Sequence, residues 1–166
     1  MNELSEVMLG RMMLGTLVLN KEGKVERVQS MYFEDCVEEN FFLSLGPRFV
    51  GKINGNPISD YKPLPVTVGL LYALGWKIKD FQENGLMYAW PPAYQFYNKK
   101  CADDFQVQFI LKERAFEDWP VGSVIVNIGS DDWIELDDFV ELERRFLELF
   151  SQRMAIQLDD EYYNAI

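Results

Sequence analysis

Histidine is absent from all 166 residues. Its absence removes the commonest general base, the commonest metal ligand, and every serine or cysteine triad built on imidazole. Cysteine is scarce. Cys36 and Cys101 stand far apart and in no CxxC pattern, which reads as reduced, buried filler and not as a disulfide or a nucleophile. Neither G-x-x-x-x-G-K-[ST] nor G-x-G-x-x-G occurs, so the glycine-rich cradles for nucleotide phosphates are missing. No apolar run approaches the roughly 20 residues of a membrane-spanning helix. The opening MNELSEVMLGRMML carries acids and an early Gly10, where a signal peptide has a basic start and an unbroken apolar stretch. A cytoplasmic protein with no membrane partner is expected.

Basic charge is also short, and unevenly so. The net charge is -11. Residues 1–60 carry six basic and nine acidic side chains, residues 61–112 six and four, and residues 113–166 four and fourteen. A protein that grips nucleic acid needs a basic stripe, because counterion release supplies most of the affinity. None is visible, so direct nucleic-acid binding is not expected, and the acidic last third reads as a solvated face.

Apolar residues make up 48% of the chain and aromatics 14%. At this length folding hides roughly 70% of the extended chain's surface, so a core forms without staples. The least ambiguous segment is KPLPVTVGLLYALGWKI, Lys62 to Ile78. Pro63 and Pro65 hold the approach extended, Thr67 sits where an N-cap belongs, and Leu70, Leu71 and Leu74 form one stripe. Gly75 then supplies the left-handed C′ residue, and Trp76 folds back on the last turn. A helix of about two turns needs a sheet to bury those leucines.

The flanking segments read as β. Leu14 to Glu38 reads as β: Leu17 and Leu19 alternate with Val18 and Asn20, a turn follows at Asn20-Lys21-Glu22-Gly23, and a second strand bears Val25 and Val28, with Met31 and Phe33 beyond. Phe41–Leu45 and Arg48–Ile53 extend a small curled, SH3-like sheet. Gly46-Pro47 and Asn54-Gly55-Asn56-Pro57 punctuate it, and Gly51 to Tyr61 reads as a linker. After the helix come Leu86–Trp90 and Tyr94–Tyr97, separated by Pro91-Pro92-Ala93. In Phe105–Lys112, Phe105, Val107, Phe109 and Leu111 alternate with Gln106, Gln108, Ile110 and Lys112. Gly122–Ile128 follows with Val124, Val126 and Ile128 inward, and the meander closes at Gly129-Ser130-Asp131-Asp132. A last helix starts at Asp138, a capping-box variant with Glu141. Its apolar face is Phe139, Leu142, Phe146, Leu149 and Phe150, with Glu141, Glu143, Arg144, Arg145 and Glu148 solvated.

The fold expected is therefore α+β: a small N-terminal curled antiparallel sheet over residues 1–60, then a helix–meander–helix unit over 61–156, then an acidic tail over 157–166. In that unit the C-terminal helix covers the face built by Phe105, Val107, Phe109 and Leu111.

Asp131, Asp132, Asp137 and Asp138 around Trp133 come nearest to a metal site. Their spacing departs from D-x-[DN]-x-[DN]-G-x₅-E, and turns and helix capping account for them. No metal and no cofactor is expected, nor an enzyme: acids are plentiful, but no pair is set apart by an apolar environment that would separate its pKa values. The informative residues are Tyr88, Trp90, Tyr94 and Tyr97 around the double proline. Tyr and Trp dominate interface hot spots, and a loop projecting from a sheet is where binding residues sit; the competing reading makes them core and edge shielding. Lys99, Lys100 and Lys112 offer contacts for an anionic, nucleotide-like ligand.

The order of pieces, LGTLVLNKEGKVERV, then KPLPVTVGLLYALGWK, then WIELDDFVELERRFLEL, resembles a family of small uncharacterised proteins encoded by phages and prophages of Bacteroidales-type gut bacteria. Members show an L-R-x-G-N-x-V opening, a P-x-P-L-T-x-x-x-L-x-x-L-G-F centre and a terminal V-H-x-L-Q-N-L-Y helix. Leu14 to Val18 stand for the opening, Pro63, Pro65, Thr67, Leu71, Leu74, Gly75 and Trp76 for the centre, and Phe139, Leu142 and Phe146 for the end. Trp76 departs from the usual Phe, and the terminal histidine is missing. The resemblance implies a phage or mobile-element setting and no activity. A non-enzymatic accessory protein that binds a host or phage protein, in one version as an inhibitor of host defence, is the expectation. Sequestration of a small anionic ligand is the alternative.

Overall fold

A computed structural model describes residues 12–36, 48–81, 85–92, 105–112, 119–128 and 133–158. The described residues form an α+β fold with three antiparallel sheets and two α-helices. The chain divides into two compact units at Leu64/Pro65.

The first unit holds β1 (Leu17–Asn20), β2 (Val25–Arg27), β3 (Met31–Cys36), β4 (Arg48–Ile53), β5 (Asn56–Pro57) and β6 (Tyr61–Pro63). These strands are shared between two three-stranded sheets, ordered β2-β1-β6 and β3-β4-β5. The β1–β2 turn is fixed by Asn20, whose Oδ1 accepts from the backbone N–H groups of Glu22 (3.1 Å) and Lys24 (2.9 Å). Asn54 and Gly55 close the β4–β5 hairpin with φ of 50° and 81°. Positive φ at both central residues is the type I′ turn, whose twist matches the flanking strands. Residues 51–61 are therefore not the linker expected. Gly51 to Ile53 pair with β3, and Tyr61 pairs with Asn20, so this stretch joins the two sheets of the unit instead of separating domains. Leu17, Val18, Val28, Ile53, Tyr61 and Leu64 are buried.

The second unit opens with α1 (Val68–Ala73). Thr67 Oγ1 accepts from the Leu70 N–H at 3.1 Å. At the other end the Gly75 N–H donates to Tyr72 O and the Trp76 N–H to Leu71 O, both at 2.9 Å. With Gly75 at φ 78°, these two bonds make the Schellman closure. Leu70, Leu71 and Leu74 are buried. The strands that follow are β7 (Lys77–Phe81), β8 (Leu86–Trp90), β9 (Phe105–Ile110), β10 (Val124–Ile128) and β11 (Trp133–Glu135). They form one antiparallel sheet in the order β11-β10-β9-β8-β7, a meander in which sequence neighbours are sheet neighbours. The sequence pattern misses β7 and β11, which are the two edges. An edge strand pairs on one side only and tolerates charges such as Lys77, Lys79 and Asp80. The expected strands Phe41–Leu45 and Tyr94–Tyr97 and the turn at 129–132 lie outside the described residues.

Helix α2 (Phe139–Phe150) covers one face of this sheet. Phe105 meets Phe146 edge-on with ring centroids 5.3 Å apart, Phe150 at 5.8 Å and Trp76 at 6.2 Å. Phe139, Leu142 and Phe146 are fully buried and Phe150 half-buried. Two expectations fail. Leu111 is 45% exposed, because β9 ends at Ile110 and Leu111 leaves the alternation. Glu143, expected in solvent, is 1% exposed; four residues after Phe139 and three before Phe146, it lies on the buried stripe whatever its chemistry.

The α2 cap is half of a capping box. Asp138 Oδ1 accepts from the Glu141 N–H at 3.0 Å, but the Glu141 carboxylate turns to Arg144 (2.9 Å) and Arg145 (2.8 Å). Burial alone raises the Glu141 carboxyl; the hydrogen bonds and charges of the two arginines outweigh it and hold it below its ordinary 4.5. For Asp138 burial wins over the bonds from the Glu141 and Val140 amides, and its carboxyl is raised.

Phe146→Ala is expected to cost about 3–5 kcal/mol in urea unfolding, and Leu111→Ala no more than about 0.5 kcal/mol. Glu141→Gln is expected to destabilise at neutral pH by about 0.5 kcal/mol for each lost pair. A depressed carboxyl stabilises above its unfolded pKa and loses that contribution as pH falls, so the gap between Glu141→Gln and wild type should close below pH 4.5.

Candidate functional site

Directly opposed residues of an antiparallel sheet share a face. Registers therefore sort the side chains of the five-stranded sheet into two sets. Met87, Ala89, Phe105, Val107, Phe109, Val124 and Val126 belong to the α2 side. On the other side one row reads Lys79, Tyr88, Gln108, Ile125, Glu135. Beside it lie Leu86 with Ile110, Lys77 with Trp90, and Gln106 with Asn127 and Trp133.

This outer face is not the polar surface that the glutamines suggest. Leu86, Ile110 and Ile125 form a buried floor, against which Tyr88, Trp119 and Trp133 pack half-buried. Tyr88 and Trp90 stack with centroids 5.9 Å apart and planes 14° from parallel. Gln108 is only 7% exposed, and its Nε2 reaches Gln106 Oε1 at 3.4 Å. Lys77, Lys79 and Glu135 are exposed at the edges. The result is a ridge of aromatic rings over an aliphatic floor with charges at its rim. It offers partly exposed rings, already held in one geometry, over a floor that is itself covered.

Of the residues read from the sequence as partner contacts, Tyr88 and Trp90 come together here, two residues apart on one strand. Tyr94, Tyr97, Lys99 and Lys100 lie outside the described residues. Lys112 is exposed beyond the end of β9, so close to Gly85 that a Cβ there would meet its own Cβ at 2.5 Å. Gly85 precedes β8 and Trp90 ends it, so Lys112 and Trp90 stand roughly 17 Å apart along the strand. Trp119 and Trp133 escaped the sequence reading, Trp133 because its acidic neighbours drew attention to a loop; the alternation Trp133-Ile134-Glu135 was the signal available.

No family profile, curated protein or solved structure matches this chain.

A second constellation, in the first unit, has no sequence motif at all. Glu26 Oε1 accepts from Tyr61 Oη (3.1 Å) and Asn54 Nδ2 (2.7 Å), and Glu26 Oε2 from Asn20 Nδ2 (3.4 Å). Asn56 Nδ2 donates in turn to Tyr61 Oη at 3.2 Å. Asn54 also accepts through Oδ1 from the Gln29 and Ser30 amides at 2.7 and 3.1 Å, and donates to Arg27 O at 2.9 Å. Burial, reinforced by the Glu26 and Asp60 charges, raises the Tyr61 phenol above its ordinary 10.0 despite the Asn56 bond. A phenol raised by folding stabilises below pH 10.0 and loses that contribution at higher pH. The Tyr61 ¹³Cζ resonance should therefore titrate above 10.0, and Tyr61→Phe should remove that part of the alkaline loss of stability.

Proposed function

We propose that the chain is a non-enzymatic binding protein that engages another protein through the outer face of its five-stranded sheet. The observation that carries this reading is the stacked Tyr88–Trp90 pair beside Trp119 and Trp133 on a buried aliphatic floor. Aromatics fixed before binding lose little entropy on association and bury much area. With strands about 4.8 Å apart and about 17 Å long, the face spans roughly 350 Å². A standard interface takes about 800 Å² per partner, so this face is the anchor of a larger contact.

The resemblance to phage-encoded proteins adds a setting, the cytoplasm of a bacterial host, and a partner of host or phage origin. An inhibitor of host defence is one version. The described surface of α2 does not favour nucleic-acid mimicry as its means, because Glu141 and Glu148 there are paired with Arg144 and Arg145. Sequestration of a nucleotide-like anion by Lys99, Lys100 and Lys112 has no comparable support, since Lys112 stands at the far end of β8 from the aromatics.

The test is capture from host lysate at physiological salt with wild type, Trp90→Ala and Tyr88→Ala. Wild type is expected to retain one specific partner, and each variant to weaken it by about 2 kcal/mol, some thirtyfold, while remaining folded by circular dichroism. Loss of binding only together with unfolding, or variants that bind as wild type does, would exclude this face.

A further inference from the structure

The sheets of the first unit enclose an open pocket of about 250 Å³ lined by Asn20, Lys21, Glu22, Glu26, Asn56, Asp60 and Tyr61. Its lining holds three carboxylates and one ammonium, and acceptors outnumber donors. Glu26 is part-buried, and the groups that bond it, Tyr61, Asn54 and Asn20, are all neutral. Hydrogen bonds from neutral donors hold a carboxylate in place but leave its charge uncompensated. Oε1 takes the two short bonds; Oε2, with one long bond from Asn20, keeps accepting capacity. Among the described residues no three acidic side chains converge as a metal ion requires. The volume equals about eight waters at ~30 Å³ each, the scale of a small organic molecule.

We propose that this pocket binds a small organic cation bearing a guanidinium or primary ammonium group, with Glu26 as the fixed counter-charge and Asp60 and Glu22 at the rim. A guanidinium presents donors in a rigid fork and accepts nothing, which complements a pocket rich in acceptors. Tyr61 and Asn54 are positioning residues: they hold Glu26 and leave its second oxygen open. The site is independent of the sheet face in the second unit.

The experiment is an amide ¹⁵N–¹H titration of the full chain with agmatine, with glutarate as an anion of similar size. Agmatine is expected to shift the Asn20, Asn56 and Tyr61 amides saturably with a Kd on the order of 1 mM, and glutarate is not. Glu26→Gln, which keeps an oxygen for Asn54 and Tyr61, should weaken binding about tenfold. Asp60→Asn, which touches none of the Glu26 bonds, should weaken it about threefold and decides the matter if Glu26→Gln does not fold. The proposal is overturned by an absence of saturable shifts in wild type, by an equal response to glutarate, or by an Asp60→Asn protein that binds as wild type does.

Discussion

Strand β9 lies at the centre of the five-stranded sheet and is buried on both faces, and the second unit depends on that constraint. On one face Phe105 is the meeting point of Trp76 from the end of α1, Phe146 and Phe150 from α2. On the other, Ile110 joins Leu86 and Ile125 beneath the tryptophans. A central strand has no solvated side to which a misplaced residue can turn. A slip of one residue in its pairing would exchange Phe105, Val107 and Phe109 with Gln106, Gln108 and Ile110. Register here is thus set by packing on two sides at once, and the outer face inherits its order from the core beneath it.

The first unit is held by a different means. Its strands are two to six residues long and its sheets small, so hydrophobic area alone specifies them weakly. Asn54 takes over part of that task. Set in a type I′ turn, its carboxamide bonds the Gln29 and Ser30 amides, the Arg27 carbonyl and the Glu26 carboxylate, tying the β4–β5 hairpin to the end of β2. The same bonds that join the two sheets fix the carboxylate in the pocket. Structure and a capacity for binding share one set of side chains, as expected where a buried polar network must be fully satisfied to be tolerated.

The aromatic outer face and the Glu26 pocket differ in how they would recognise a partner. The first offers area and rigidity, which suit a broad protein surface. The second offers charge and hydrogen-bond geometry on a small scale, which suit a compact ligand. Neither calls on the imidazole that the composition withholds.

What the sequence determined by itself is whatever depends on near neighbours along the chain. Thr67 and Gly75 bounded α1, Asp138 began α2, Asn54-Gly55 made a hairpin, and Tyr88 and Trp90 shared a strand face, because caps, turns and alternation act over two to four residues. Tertiary structure decided the rest. It made strands of Lys77–Phe81 and Trp133–Glu135, whose own composition is charged or too short to declare itself, by giving each a partner on one side. It buried Glu143 and Gln108, whose chemistry argues for water, because their neighbours on the helix stripe and the sheet row are covered. It released Leu111 to solvent where the strand ends. The Glu26 pocket lay furthest from view: the bonds to Glu26 come from residues 6 to 35 positions away, and only the folded backbone brings these groups together.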